Sequence, residues 1–118
     1  MAHTLEERAS ATWEEFERVG LRAGTICKVE QFPQARKAAY KLWVDFGPFG
    51  VRQSSAQITA LYSPEELIGR QVICATGLGS KRVAGFRSEI LITGFAREDG
   101  AIVLARPERA VPDGSALC

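Results

Sequence analysis

The residues with the clearest potential for chemistry lie in one stretch of the chain, residues 71–95, QVICATGLGSKRVAGFRSEILITGF. Apolar runs at 72–75 and 90–93 predict two strands, and a glycine-punctuated loop joins them. Three cationic side chains stand in that loop, namely Lys81, Arg82 and Arg87. We expect Phe86 to be exposed beside them, so the loop resembles an anion-binding surface. The alternative is a hairpin loop whose charges serve only to keep it in water.

The charge of the chain is unevenly distributed, although the net value is only +1. Residues 1–18 hold five glutamates and two arginines, a net charge of −3. Residues 19–87 hold ten basic and four acidic groups, a net charge of +6, and residues 88–118 have a net charge of −2. A basic middle in a nearly neutral chain indicates a local anion site rather than a general polyanion binder.

The histidine and cysteine content excludes most catalytic and metal chemistry. The single histidine, His3, stands near the N-terminus, which leaves no partner for a serine triad. The three cysteines are far apart and form no CxxC pair: Cys27, Cys74 and Cys118. Neither a disulfide framework nor a zinc site is expected, and the first two cysteines are predicted to be small buried groups. We therefore expect no metal and no cofactor.

Among enzyme motifs, the sequence most nearly matches a phosphate-binding loop, but the match is incomplete. Residues 77–81, GLGSK, lack the GxxxxGK[ST] pattern, and Arg82 stands where GxGxxG needs a glycine. No helix is expected after the loop to hold a phosphate at its N-terminus. The carboxylates belong to a helix start and a turn, so no acid–base pair is predicted and we expect a protein that is not an enzyme.

The remaining pattern predicts the elements that must position the basic loop. Residues 1–11 are interpreted as an extension, and Thr12 with Glu15 predicts a capped helix over 13–18. A second short helix is predicted between Ser63 and Gly69. Strands are predicted at 21–29, 40–46, 51–58, 71–76, 88–95 and 101–105. Five of these six are counted as main strands, and a short helix lies between the third and the fourth. This order predicts an all-β protein, a five-stranded Greek-key OB-fold barrel over 12–118.

The third predicted strand, VRQSSAQI, has no apolar face, so one of its faces is expected to bind a polar ligand. The alternative is an edge strand whose hydroxyls face water. Together with the basic loop, this strand predicts recognition of single-stranded or structured RNA, in which Lys81, Arg82 and Arg87 meet phosphate. Arg52 is expected to line the same face. Hydrogen bonds would come from Ser54, Ser55 and Ser88. Phe86 either stacks on a base or packs inward.

Several separated motifs resemble one known family, the tRNA-binding OB domain found as an appendage of some aminoacyl-tRNA synthetases and as free-standing proteins. The first motifs are FP at 32–33 and YKLWVDFG at 40–47, followed by QSSAQI at 53–58. The most specific is RVAGFRS at 82–88, which matches a basic-x-x-Gly-x-x-Ser pattern at Arg82, Gly85 and Ser88. The QSSAQI motif is most similar to that of the CsaA secretion-chaperone branch of the family. The resemblance covers about residues 12–114.

The resemblance implies a homodimer formed through the N- and C-terminal segments, tRNA as a partner, and a chaperone role for exported preproteins. The second hypothesis is a peptide-binding chaperone with an apolar cleft between subunits, in which RNA binding is incidental. The candidate aromatic side chains of that cleft are Trp13, Phe16 and Trp43, and the alternative for each is packing in the core or in the dimer. Where the family commonly has Asn and prolines this chain has GLGS at 77–80, which predicts a less preorganised loop. No apolar run is long enough to span a bilayer, so membrane insertion is not expected and a cytoplasmic location is predicted.

Overall fold

The structure is a computed structural model that describes residues 9–118. Most of the extension predicted over residues 1–11 therefore lies outside the described residues, and His3 lies outside them entirely.

Two short helices begin where the sequence predicts them. Helix α1 is Trp13–Val19, and the Glu15 amide donates to Thr12 Oγ1 at 3.0 Å while the Thr12 amide donates to Glu15 Oε1 at 2.9 Å. Helix α2 is Pro64–Leu67, and its capping box joins Ser63 to Glu66 in the same way. Each box satisfies two backbone donors that a helix start leaves without partners. Both predicted helices are confirmed.

The strands of residues 9–118 form one five-stranded antiparallel sheet and two small hairpins. In chain order they are β1 (Leu21–Gln31), β2 (Tyr40–Asp45), β3 (Val51–Ala56), β4 (Gln71–Ala75), β5 (Lys81–Val83), β6 (Phe86–Ser88), β7 (Leu91–Ile92), β8 (Gly94–Ala96) and β9 (Ile102–Leu104). A 3-10 turn, Gly47–Phe49, joins β2 to β3.

The large sheet has the order β3-β2-β1-β4-β7 and curls into a nearly closed barrel. Strand β1 is long enough to pair with β4 through residues 21–25 and with β2 through residues 25–31. The chain returns beside β3 just after β6, where the Glu89 amide donates to the Gln53 carbonyl at 2.9 Å. This confirms the predicted all-β barrel of OB type with a short helix between its third and fourth strands.

The core fills the inside of the barrel. It includes the four residues that alternation along the second predicted strand places inward: Tyr40, Leu42, Val44 and Phe46. A Cβ atom on Gly24 would lie 2.6 Å from Val44 Cγ1 and 2.8 Å from two ring atoms of Phe46. Only glycine lets β1 approach the core this closely.

Alternation along the first predicted strand would place the odd-numbered residues from Leu21 to Val29 on one face, and this prediction is wrong at Ile26 and Cys27. A bulge between Ile26 and Lys28 inserts one extra residue, which is Cys27. Because one inserted residue moves the side chains that follow to the opposite face, Ile26 before the bulge and Val29 after it both pack on the core, while Cys27 is exposed. The predicted burial of Cys27 is therefore wrong, while that of Cys74 is confirmed.

The strand predicted over 88–95 is also wrong, because this stretch is divided among β6, β7 and β8. Thr93 ends the pairing with β4, since both its amide (3.0 Å) and its hydroxyl (2.6 Å) donate to the Ile73 carbonyl. The preceding stretch, for which the sequence predicts a loop, contains the hairpin of β5 and β6.

Thiol reactivity should distinguish the buried Cys74 from the two exposed cysteines, Cys27 and Cys118. Burial raises the pKa of the Cys74 thiol to about 12 from its usual 9.0. The fold favours the neutral thiol, so this stabilisation is complete below pH 9.0 and is lost as the pH rises from there to about 12. At about pH 8 we expect Cys27 and Cys118 to react with a disulfide reagent while Cys74 reacts only after unfolding. A variant that retains Cys74 alone tests this, and rapid labelling of the folded variant would contradict the burial.

Candidate nucleic-acid interface

The basic residues of the central stretch are presented by the hairpin of β5 and β6, which we call the basic hairpin (residues 81–88). Its two-residue turn is Ala84-Gly85, with φ values of 48° and 82°. Positive φ at both central positions is the backbone of a type I′ turn, and this matches the twist of two antiparallel strands. Gly85 is therefore required by the turn that brings the two strands of the hairpin together.

Two arginines stand directly opposite each other on this hairpin, Arg82 on β5 and Arg87 on β6. Both are exposed, and directly opposed like charges destabilise an antiparallel pair. Arg82 Nη1 donates to the Gly85 carbonyl at 3.2 Å, and Arg87 Nε donates to Ser80 Oγ at 3.1 Å. Within residues 9–118 neither arginine forms an ion pair with a carboxylate. Their charge is concentrated and available to an anion.

Phe86 attaches the basic hairpin to the barrel. Its ring meets the rings of Phe32 and Trp43 edge-on, with centroids 5.6 and 5.9 Å apart. Lys41 Nζ lies 5.2 Å from the Phe86 centroid and 4.9 Å from that of Phe32. The expectation that Phe86 is exposed is wrong: it is half-buried, because the hairpin folds back over β2. Of the two roles that the sequence leaves open, the structure shows packing.

The serines of the predicted site join β3 to the hairpin. Ser54 and Ser88 are only 1% and 6% exposed, and their hydroxyl oxygens lie 3.2 Å apart. The Ser54 hydroxyl also lies 3.1 Å from the Ile90 carbonyl, and the Ser55 amide donates to Ser88 Oγ at 3.3 Å. These hydroxyls are used within the protein and fix the position of the basic hairpin.

A groove of about 1090 Å³ runs beside the hairpin, between the loop that follows β1 and the strands β3 and β7. Its floor contains Ile58, Ile90 and Ile92, which belong to the core. Its cationic side chains are Arg36, Lys37 and Lys81. Ser55 lies in its wall, so the groove combines an apolar floor with a basic rim.

The predicted site residues do not all face this groove. Arg52 and Arg87 line a second depression, of about 420 Å³, at the end of the barrel. The two depressions meet at Gly79 and Ser80, which line both. The hairpin and the loop before it therefore separate two basic surfaces.

Three cationic residues of these surfaces were not singled out from the sequence: Arg22, Arg36 and Lys37. The Arg-Lys dipeptide belongs to the loop predicted after the first strand, where a basic pair next to a nucleic-acid face is a usable signal. Arg22 belongs to an alternating strand, and nothing in its local sequence distinguishes it from an ordinary solvent-facing position.

In the described part of the chain, no group of three or more histidine, cysteine, aspartate or glutamate side chains could hold a metal ion. None of the helices found there has the length and apolar character needed to cross a membrane.

Comparison with known proteins agrees with this geometry. The fold is that of OB-type barrels. The family model described as "Putative tRNA binding domain" matches residues 21–116, and the chain belongs to this family. The methionine–tRNA ligase of Methanospirillum hungatei is 38% identical over 104 residues, which are 88% of this chain but only 15% of that enzyme.

Two solved structures are similar over nearly the whole chain. The chaperone CsaA of Bacillus anthracis is 44% identical, with a TM-score of 0.87, over 93% of this chain and 100% of that one. The CsaA chaperone protein of Picrophilus torridus is 36% identical, with a TM-score of 0.84, over 92% and 100% of the two chains.

Proposed function

We propose that this protein binds tRNA through the basic hairpin and the groove beside it, and that it acts as a binding protein and not as an enzyme. The observation that carries the proposal is the exposed pair of Arg82 and Arg87, opposite each other without a carboxylate partner within residues 9–118. Bringing a phosphate between two such guanidinium groups removes their repulsion and forms charge-assisted hydrogen bonds. Membership of the tRNA-binding family supports the choice of RNA.

The proposal gives each predicted site residue a role. Side chains that contact phosphate are Lys81, Arg82, Arg87 and Arg52. Gly85 supplies the turn, and Phe86 packs the hairpin onto the barrel, so that contact with a base would involve only its exposed edge. Ser54 and Ser88 act as positioning residues, and Ser55 faces the RNA from the groove wall. The functional domain proposed is residues 12–118.

The direct test is fluorescence anisotropy with bulk tRNA over a series of salt concentrations, with matched duplex DNA as a competitor. A shaped site with a few phosphate contacts should give a log–log salt slope of a few units and resist the duplex. Competition by duplex DNA as strong as that by tRNA would indicate general electrostatic attraction, and no binding at moderate salt would contradict the proposal.

Arg82→Ala is expected to weaken tRNA binding by about tenfold and lower the salt slope by about 1, because one phosphate contact is removed. Arg109→Ala is the matched control, since Arg109 is exposed and lies outside the basic hairpin and outside both depressions. Anisotropy on both variants measures the difference. Equal losses for the two variants would show that net charge, and not the hairpin, governs binding.

We propose a second function, chaperoning of unfolded preproteins, which the similarity to two CsaA chaperones supports. The apolar floor of the groove could accept an extended apolar peptide, and Leu78 and Leu91 are exposed large side chains in its wall. If the peptide and RNA contacts are separate, Arg82→Ala should leave suppression of client aggregation intact. Parallel loss of both activities would contradict separate sites.

We also propose that the protein is a cytoplasmic homodimer. None of the residues of α1 is buried, and Trp13 is 85% exposed with Phe16 beside it on the helix. A second subunit would remove these rings from water. Light scattering should then give twice the chain mass of 12.9 kDa, and a monomer mass at micromolar concentration would contradict the dimer.

A further inference from the structure

We propose that Arg22 completes a phosphate-binding pocket at the end of the barrel, together with Arg52 and Arg87. The pocket is the depression of about 420 Å³ lined by these three arginines, and we call it the arginine pocket. The inference rests in part on the proposed function, since the phosphate expected there is one of the tRNA backbone. The same chemistry would also accept a free phosphate compound.

The arginine pocket is assembled from distant parts of the chain. Arg22 comes from the start of β1, Arg52 from the start of β3, and Arg87 from β6. Among the described residues that line it, Glu89 contributes the only carboxylate, and its Oε1 accepts a hydrogen bond from the Gln53 amide at 3.1 Å. Three guanidinium groups and one carboxylate leave the pocket with a net positive charge, which favours an anionic phosphate group.

Arg22 is held in place by groups that leave most of its donors unused. Its Nη1 donates to the Gly114 carbonyl at 2.8 Å, and its guanidinium carbon lies 4.3 Å from the Phe49 ring centroid. A guanidinium has five N–H donors in a rigid plane, so one hydrogen bond and one stacked face orient it without exhausting it. A side chain held in this way loses little conformational freedom when it binds an anion.

Arg87 is oriented from the other side of the pocket. Its Nε donates to Ser80 Oγ, and Ser80 lines both the arginine pocket and the groove. The loop at Gly79 and Ser80 therefore lies between the pocket and the basic rim of the groove. An RNA backbone that crosses this loop would place one phosphate in the arginine pocket and others along Lys81 and the hairpin.

The first experiment measures tRNA anisotropy across a salt series for the wild type, Arg22→Gln and Arg22→Lys. Arg109→Gln, which removes the same charge outside both depressions, is the control. We expect Arg22→Gln to weaken binding about five- to tenfold and to lower the salt slope by about 1. Arg22→Lys should retain most of the wild-type salt slope but less of the wild-type affinity for tRNA. The reason is that lysine supplies a point charge without the planar, forked donors of a guanidinium group. Circular dichroism and thermal unfolding show whether each variant folds.

The second experiment uses inorganic pyrophosphate as the probe and follows the thermal midpoint of the same four proteins. Stabilisation of the wild type and of Arg109→Gln by pyrophosphate, without stabilisation of Arg22→Gln, supports the arginine pocket. If this result is obtained and tRNA does not bind, the ligand of the pocket is a free phosphate compound. An effect of Arg22→Gln on tRNA without a response to pyrophosphate assigns the pocket to the RNA backbone. If Arg22→Gln and Arg109→Gln give the same tRNA affinity and the same response to pyrophosphate, the proposal of a phosphate site at Arg22 is wrong. This holds whether or not the wild type binds tRNA.

Discussion

Replacing Lys81, Arg82 and Arg87 together by glutamine is expected to lower the affinity for tRNA by about a thousandfold at about 0.1 M salt. One phosphate contact carries a salt slope of about 0.9, which corresponds to roughly tenfold in affinity between 1 M and 0.1 M salt. Three lost contacts should therefore reduce the slope by about 3, and anisotropy across a salt series measures both quantities. The fold should not suffer, because Arg82 and Arg87 repel each other across the hairpin.

The chain offers a matched control for this loss of three charges. Glutamine in place of Arg97, Arg106 and Arg109 removes the same net charge from exposed positions outside the basic hairpin and outside both depressions. Long-range attraction alone should cost the control only a few-fold in affinity at this salt concentration, since it is screened beyond about 10 Å. A control as weak as the hairpin variant would contradict a local site, and an unchanged slope in the hairpin variant would remove these residues from the interface.

The sequence was sufficient where local chemistry and burial agree. Alternation along β2 placed Tyr40, Leu42 and Val44 inward because both ends of that strand are regular and one face is buried. The capping boxes at Thr12 and Ser63 located both helices because the cap is a contact between residues three apart. The basic residues and the glycine of the turn also stood close together in the sequence.

What the sequence did not predict depends on contacts between distant residues. Nothing local shows that Cys27 is the extra residue of a bulge, because the bulge is defined by the register against β2. The hairpin strands are three residues each, too short to give a periodic signal, and they are held by Phe86 packing on Phe32 and Trp43.

The arrangement of the candidate site also depends on contacts between distant residues. Arg22 meets Arg52 and Arg87 only because β1, β3 and the hairpin converge at one end of the barrel. The sequence predicts that Ser54, in a polar strand, and Ser88, at the start of the strand predicted over 88–95, offer hydrogen bonds to RNA. Barrel closure instead brings their hydroxyl oxygens within 3.2 Å of each other and buries them. The sequence thus predicts an anionic ligand, while the division of the candidate site into a groove and a second depression depends on the fold.

The barrel that presents these surfaces depends on the contact between Phe46 and Gly24. Phe46 is 1% exposed, so Phe46→Ala removes a fully buried ring and should lower the free energy of unfolding by about 3–5 kcal/mol. That is a large part of the roughly 5–15 kcal/mol that holds an ordinary domain folded. Urea unfolding followed by tryptophan fluorescence measures the loss. Phe95→Ala is the matched control, because Phe95 is 71% exposed and its removal should change stability by only about 0.5 kcal/mol.

A double-mutant cycle then tests whether Phe46 and Gly24 act on each other. Gly24→Ala alone should cost about 1–3 kcal/mol, because its Cβ would overlap the Phe46 ring and Val44. In the Phe46→Ala background the ring contacts are gone and the new methyl group partly fills the cavity. The double variant should therefore lose less than the sum of the single losses, by about 1 kcal/mol or more. Strict additivity would mean that β1 relaxes away from the core in the single variant, and that the close approach at Gly24 does not fix the barrel's geometry.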